Sequence, residues 1–330
     1  MKEIKQARIL PFLRHLNQKY DVFLPIKKGK DWVFEKFNSE MEYVNTHPVL
    51  TILPPKKFFL PQGEIINYTS QNGMFYNIKS KPTVIFGINS FDISALTLLD
   101  QIMTRPHNDP YYQQRRKNTI LIAIGPERIN IANNGYDLFL EKYGEAFVAL
   151  AGSVKGEAFL ELKYFERSQK QPKKILSFKD PLFNKLDKIQ TALNKSFGKK
   201  IWEKVAQTCF GCGICAYVCP LCYCHEYEDS FSTPDVLNSS TSGVNTTSGV
   251  CTNCRKRQWD ACFLPNFFAV AGHNFRENLP ERIYNWYYHK FVRMPKEFGP
   301  IGCVDCGRCI EYCPAKINFK EVLRELTKNV

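Results

Sequence analysis

The first 208 residues of this 330-residue chain contain no cysteine, although thirteen cysteines follow between Cys209 and Cys313. The chain also lacks a run of about 18 apolar residues, the length that a membrane-spanning helix needs. Its N-terminus alternates charged with apolar side chains, unlike a signal peptide. We therefore expect a cytoplasmic protein without a membrane span. Because the cytoplasm keeps thiols reduced, the cysteines are expected to bind metal rather than to form disulfides.

Fingerprints of nucleotide binding and of covalent catalysis are also missing from the sequence. No P-loop and no activated nucleophile accompanies the cysteines, and the turn after Thr83 offers the single glycine Gly87. A pyrophosphate-binding turn uses three glycines in the pattern GxGxxG. The sequence therefore predicts neither FAD nor NAD in this chain, and no catalytic residue.

Charge is distributed as unevenly as cysteine. The chain has 45 Lys and Arg against 32 Asp and Glu, but from residue 201 onward these counts are 14 and 13, so a net charge of +12 belongs to the upstream part. The basic residues form short groups, which favours a solvated surface as their role and, after that, docking of an acidic protein. Nucleic-acid binding is less favoured, because it is expected to use a continuous basic stripe. The groups are Lys27, Lys28 and Lys30; Lys56 and Lys57; Arg115, Arg116 and Lys117; Lys173 and Lys174; and Lys199 and Lys200.

The apolar pattern predicts an α/β assembly domain over residues 1–178 and a helical bridge over 179–206. The chain length allows about two domains, the second spanning residues 207–330. Chain breaks at Pro54-Pro55 and at Pro61-Gln62-Gly63 predict an extended segment between them. Strands are expected at Tyr20–Pro25, Thr83–Ile88, Thr119–Ile124 and Ala146–Ala151, and helices at Glu3–Lys19, Ile93–Met103 and Tyr136–Tyr143.

The second domain contains two runs of four cysteines with the spacing of bacterial ferredoxins, each followed by proline. They are Cys209-x2-Cys212-x2-Cys215-x3-Cys219-Pro220 and Cys303-x2-Cys306-x2-Cys309-x3-Cys313-Pro314. In two-cluster ferredoxins the fourth ligand of each [4Fe-4S] cluster comes from the opposite motif. The spacing therefore predicts cluster one on Cys209, Cys212, Cys215 and Cys313, and cluster two on Cys303, Cys306, Cys309 and Cys219.

This arrangement makes residues 207–330 an α+β, two-cluster ferredoxin-like domain with a long insertion over 220–302. Structural zinc is the competing interpretation, but zinc sites use two separate pairs of cysteines rather than two complete runs ending in proline. Clusters of this kind pass single electrons, so the chain is interpreted as an electron conduit.

Five further cysteines, which lie within the predicted insertion, suffice for one more four-ligand site. A third [4Fe-4S] cluster held by four of them is the leading interpretation, with zinc and inert thiols as alternatives. His225 is a further candidate ligand. The five cysteines are Cys222, Cys224, Cys251, Cys254 and Cys262.

Several sequence blocks resemble a family of iron-sulfur subunits that sulfhydrogenases and anaerobic sulfite reductases share. In sulfhydrogenases this subunit is the beta subunit. The upstream blocks are PPKKFFLPQGE (54–64), DPYYQQRR (109–116) and GYDLFLEKYGEAFVALAGSVKGEAFLE (135–161). The downstream blocks, which are more specific, are CFGCGICAYVCPLCYC, WDAC, AGHNF, YHKF and CVDCGRCIEYCP. Where the family commonly has GVRPCD, this chain has GINSFD, over residues 87–92.

The resemblance implies a protein that relays electrons between a flavin-bearing partner and a catalytic partner, either a nickel-iron hydrogenase or a siroheme sulfite reductase. Ferredoxin is a further candidate partner, and another flavin-dependent oxidoreductase complex is the alternative. The interpretation from a different class is a zinc-stabilised protein that binds nucleic acid. It would use the segment CTNCRKR and stack bases on Trp286, Tyr287 and Tyr288 beside Lys290.

Overall fold

The computed structural model describes residues 1–70, 73–76, 80–126, 135–173, 180–230 and 253–328. Ten strands form in the upstream part: β1 (Lys2–Lys5), β2 (Asp21–Lys28), β3 (Asp31–Lys36), β4 (Gly63–Ser70), β5 (Gly73–Tyr76), β6 (Thr83–Ile88), β7 (Thr119–Gly125), β8 (Leu138–Tyr143), β9 (Ala146–Ala151) and β10 (Glu166–Arg167). Eight of them build one mixed sheet in the order β10-β1-β9-β8-β7-β6-β2-β3. The four neighbours β2, β6, β7 and β8 run parallel.

Helices cover both faces of this sheet. The upstream helices are α1 (Gln6–Leu16), α2 (Ser90–Ile102), α3 (Pro110–Lys117) and α4 (Val154–Leu160). Strands β6 and β7 are apolar almost throughout because helices bury both of their faces. Side chains cap the N-termini of two of these helices. Asn89 accepts a hydrogen bond from the Asp92 N–H at the start of α2, and Asp109 accepts one from the Tyr112 N–H at the start of α3. The expected mixed α/β class is confirmed.

Three local predictions differ from the structure. The first helix begins at Gln6 instead of Glu3, because Lys2–Lys5 pair with β9 and β10. The segment predicted as extended between Pro54-Pro55 and Pro61 contains a 3₁₀ turn, Pro55–Phe58. The helix predicted at Tyr136–Tyr143 is wrong, because this segment provides β8, which turns at Gly144 (φ +59°) into β9.

The downstream part is mainly helical. Its helices are α5 (Leu186–Asn194), α6 (Lys200–Ala206), α7 (Ile214–Tyr217), α8 (Leu279–Tyr288), α9 (Met294–Phe298), α10 (Arg308–Glu311) and α11 (Phe319–Thr327). A π-helical turn, His289–Arg293, joins α8 to α9, and 3₁₀ turns cover Pro181–Lys185 and Pro265–Phe268. The helices expected between 179 and 206 are thus present. No helix in the described ranges has both the length and the apolar character to cross a membrane.

A second sheet ties the upstream part to the predicted insertion. The insertion adds β11 (His225–Ser230), β12 (Cys254–Trp259), β13 (Ala269–Val270) and β14 (His273–Asn274). The order β11-β12-β4-β5 places β12 directly beside β4. Arg257 of β12 is buried and ion-pairs with Glu64 and Asp109 of the upstream part. The predicted insertion therefore packs on residues far upstream of the cysteines.

Candidate iron-sulfur site

The two cysteine motifs have the same local backbone. Gly211 and Asp305, each two residues after the first cysteine, have φ of +65° and +61°. Gly213 and Gly307 also have positive φ (+73° and +80°) and precede the four-residue helices α7 and α10. This conformation favours glycine. The repeated spacing in the sequence thus corresponds to a repeated turn that directs successive thiols to one side.

The structure brings together Cys209, Cys212, Cys215 and, from the other motif, Cys313. We call these the first cysteine group. All four line one cavity of about 50 Å³. Burial raises the pKa of the Cys215 thiol, and the neighbours Cys209, Cys212 and Cys313 add to this effect. The remaining walls are largely apolar and include Phe263, Ile283, Trp286, Tyr287 and Phe319.

The second cysteine group consists of Cys303, Cys306, Cys309 and the remote Cys219. Burial raises the pKa of the Cys309 thiol well above its ordinary value, and Cys219, Cys303 and Cys306 raise it further. Burial also raises the pKa of Cys303 to about 12. Each group therefore contains three cysteines of one motif and the last cysteine of the other.

These two groups fit the cluster that their spacing predicts. A four-iron cube needs four thiolates around one space, and the first group provides a cavity with mostly apolar walls that is open on the side of the exposed Cys212. Backbone N–H groups also reach the sulfurs: Gly211 donates to Cys209 Sγ (3.4 Å), Ile317 to Cys313 Sγ (3.4 Å), Leu221 to Cys219 Sγ (3.4 Å) and Asp305 to Cys303 Sγ (3.3 Å). Across the described ranges, no three His, Cys, Asp or Glu side chains converge closely enough to hold a single metal ion.

Cys222, Cys224 and Cys262 form a third cysteine group between the other two. The thiols of Cys224 and Cys262 are hydrogen-bonded to each other, and this bond lowers the pKa of Cys224. Cys222 is hydrogen-bonded to Cys219 of the second group, and Cys215 of the first group is among the charges that raise the pKa of Cys262. A redox centre held here would adjoin both neighbouring groups.

The structure does not bring Cys254 to this third group. Cys254 pairs with Ser230 at one end of the β11–β12 hairpin, whereas His225, next to Cys224, pairs with Trp259 at the other end. Five residue steps separate these ends, which is about 16 Å in a strand. Cys254 is also disulfide-bonded, so it offers no free thiol to this group. Cys251 lies outside the described residues.

An open cavity of about 740 Å³ borders the third group. Cys224, Cys262, Tyr288 and both His225 and His289 are among its lining residues. His225 Nδ1 lies 3.0 Å from the carbonyl oxygen of Tyr223, so one ring nitrogen is engaged by the backbone. Burial lowers the pKa of His289 to about 4, so this histidine is neutral at pH 7.

Among the described residues, four buried cations lie near the cysteine groups, and sequence analysis did not predict their burial: Lys56, Arg282, Lys290 and Arg308. Lys56 Nζ donates to the Cys222 carbonyl (2.6 Å), and Arg308 forms two hydrogen bonds to Asp92. Lys290 Nζ donates to Cys219 Sγ (3.2 Å). Burial alone would lower the pKa of Lys290, but Cys219, Cys222 and Cys303 outweigh burial and raise it. The family blocks contained a sequence signal for three of them, since Lys56 lies in PPKKFFLPQGE, Lys290 in YHKF and Arg308 in CVDCGRCIEYCP.

The nucleic-acid hypothesis needs exposed aromatic and basic side chains, and most of the residues that it names are buried. Trp286 and Tyr287 are 4% and 2% exposed, and Lys290 is 4% exposed. Such rings cannot stack on bases, because stacking needs an open aromatic face. Arg257 of the basic segment is buried as well. The nucleic-acid hypothesis is therefore wrong for Trp286 and Tyr287, whereas Tyr288 is half-buried and lines the open cavity.

Comparison with known proteins agrees with the geometry. Residues 208–317 match the model of the 4Fe-4S dicluster domain. The chain is also 31% identical, over 343 aligned residues, to sulfhydrogenase 2 subunit beta of Pyrococcus furiosus, and the alignment covers 97% of this chain and 96% of that protein. No solved structure matches this chain.

Proposed function

The chain belongs to the family of the sulfhydrogenase beta subunit, and from this premise we propose that it relays single electrons within a cytoplasmic oxidoreductase complex. Electrons would come from a flavin-bearing partner or from ferredoxin. They would leave to a catalytic partner with nickel-iron or siroheme chemistry. The chain itself would bind no FAD or NAD and would catalyse no reaction.

The grouping of the cysteines carries this proposal. Cys313 lies with the thiols of the first motif, and Cys219 lies with those of the second. We propose that each group holds one [4Fe-4S] cluster, which accepts and returns one electron without bond formation in the protein. Because both motifs contribute to both groups, the two clusters would lie side by side in one rigid unit.

The third group supports a relay of three centres. Cys222, Cys224 and Cys262 would provide three ligands of a third cluster, and a fourth would complete it. This group adjoins Cys219 on one side and Cys215 on the other. A cluster here would connect the open cavity at His289 with the two buried clusters.

Metal and cofactor analysis of the native complex tests the function. The complex would be purified without oxygen, and the partners that accompany this chain would be assayed for nickel, siroheme and flavin. Nickel would identify a hydrogenase complex, and siroheme a sulfite reductase. Flavin without either would support the alternative, another flavin-dependent oxidoreductase. A colourless chain with zinc and no iron would contradict the proposal.

A further inference from the structure

Lys290 is a buried cation held in one position next to the second cysteine group. It is 4% exposed and lies in the π-helical turn that follows α8. Its Nζ donates to Cys219 Sγ at 3.2 Å and to the Gly302 carbonyl at 3.0 Å. The Gly302 N–H in turn donates to the Lys290 carbonyl at 2.8 Å. Lys290 is thus fixed both to Cys219 and to the residue that precedes Cys303.

The charge of Lys290 is directed at sulfur instead of at a carboxylate. Within the described residues Lys290 forms no ion pair, whereas the nearby Arg308 is neutralised by a two-bond contact with Asp92. The remaining close contact of the Lys290 ammonium is the Trp286 ring, 5.1 Å away. The positive charge is therefore available to whatever the second cysteine group holds.

The first and second groups are otherwise matched in their donors. Two backbone N–H groups donate to sulfurs of the first group, at Cys209 and Cys313. Two backbone N–H groups donate to the second group, at Cys219 and Cys303. Each group also has a buried cation close by, and the two cations differ in what they bind. Arg282, near Cys209 of the first group, donates to the carbonyl oxygens of Phe263, Arg276 and Glu277, whereas Lys290 donates directly to a sulfur of the second group.

We propose that Lys290 makes the cluster on Cys303, Cys306, Cys309 and Cys219 the more easily reduced of the two ferredoxin-type clusters. This inference rests on the proposed function, since it needs both clusters. Reduction adds one electron, supplied by the flavin partner or by dithionite, and so adds negative charge to the cluster. A hydrogen bond and a positive charge at a ligand sulfur stabilise that added charge, and burial reduces its screening by water. An electron that enters the chain would therefore rest on the second group before it moves on.

Redox titration of the full-length protein tests this role. The protein would be purified without oxygen, analysed for iron and sulfide, and titrated while each reduced cluster is followed by electron paramagnetic resonance. In Lys290→Met, the ratio of reduced to oxidised cluster two at a fixed potential should fall about tenfold or more, which corresponds to about 59 mV for one electron. Cluster one should change less. Lys296→Met is the matched control, because Lys296 lies in the adjoining α9 but is exposed.

Three further variants keep the test valid if the methionine variant does not fold. Lys290→Arg retains the positive charge, so the reduction potential of cluster two should change less than in Lys290→Met. In a protein with wild-type Lys290, Cys306→Ser should alter the signal of higher potential, and Cys212→Ser the signal of lower potential. The opposite assignment, or an unchanged potential in iron-loaded Lys290→Met, would overturn the role of Lys290. A protein that binds no iron would instead contradict the proposed function.

Discussion

At the scale of single residues, Arg308 connects the cysteine chemistry to the upstream sheet. Its guanidinium donates to both oxygens of Asp92, at 2.6 and 2.7 Å, and to the Thr51 carbonyl at 2.7 Å. Arg308 and Asp92 are 0% and 1% exposed. Since Arg308 sits between Cys306 and Cys309 in the chain, its position influences where both thiols point.

We expect Asp92→Asn to destabilise the protein strongly. The substitution leaves the Arg308 charge buried without its partner, which costs about 3 to 5 kcal/mol. Glu35→Gln is the control, because the Lys28–Glu35 pair is exposed and should contribute less than about 1 kcal/mol. Chemical unfolding measured in parallel for both variants checks the expectation. Equal, small losses would show that the buried pair is not required for stability.

The cysteines could be predicted from sequence and the buried cations could not, for a physical reason. A ligand motif is local, because a tight turn sets its spacing, so the two runs of four cysteines are visible in the sequence. Burial of Lys56 is a tertiary property. Lys56 was predicted as one of the solvated basic groups, but its ammonium lies 4.4 Å from the Trp259 ring and bonds to carbonyls of the cysteine half.

At the scale of elements, the glycines that precede α7 and α10 occupy equivalent places in the two motifs but have different surroundings. Gly213 has φ of +73°, and a Cβ there would lie 2.9 Å from Ala261 Cβ. Gly307 has φ of +80°, and nothing lies within 4 Å of its Cβ position. The first motif is therefore packed against the insertion at this point, and the second has free space.

We expect Gly213→Ala to be more damaging than Gly307→Ala. Both substitutions force a side chain into the left-handed region, at about 1 to 2 kcal/mol. Gly213→Ala adds a steric clash, typically about 1 to 3 kcal/mol. Thermal unfolding together with the iron content of each variant measures the difference. Equal losses of thermal stability and iron content in the two variants would refute the role of the Ala261 contact, because the backbone cost is common to both variants.

Element types were predictable where the apolar pattern was unambiguous. Strands β6 and β7 and helix α2 followed from their patterns. β8 did not, because a short apolar run suits a buried helix as well as a buried strand. Its pairing with β7, which lies earlier in the chain, decides the outcome, and that contact is invisible to local periodicity.

At the scale of the whole molecule, the basic excess belongs to the part that holds no cysteine. The upstream 200 residues carry a net +12, and the rest carries +1. Lys27 and Lys30 are exposed at the turn between β2 and β3, whereas Lys56 is buried and cannot contribute to a surface. An acidic flavoprotein would therefore meet the upstream part first.

We expect binding of an acidic flavoprotein partner to weaken about tenfold or more from low to high salt, because screening acts on exposed charges. The double variant Lys27→Glu and Lys30→Glu should weaken binding at low salt. Lys296→Glu with Lys328→Glu changes the net charge equally and serves as the control, since these lysines are exposed in the cysteine half. Calorimetry would measure the affinity. An affinity that does not change with salt concentration, or one that falls equally in both double variants, would exclude docking through the upstream surface.

Cysteine and charge predict a division into two halves, but they do not predict how the two parts pair. The pairing of β12 with β4 joins residues 254–258 to residues 63–68. No sequence pattern marks which strand accepts which partner over such a separation. The predicted domain boundaries remain a proposal.

The exchange of Cys219 and Cys313 between the two motifs also has a consequence for biosynthesis. Ribosomes deliver the chain from its N-terminus, and early domains fold while later residues are still being added. Cys313 is the last of the thirteen cysteines to appear, yet it completes the group formed by the first three. Neither proposed iron site can then be completed before the second motif has been synthesised, so iron delivery to either site would wait for that motif. A chain cut short before Cys303 would leave both sites incomplete, so truncation removes both centres together instead of one.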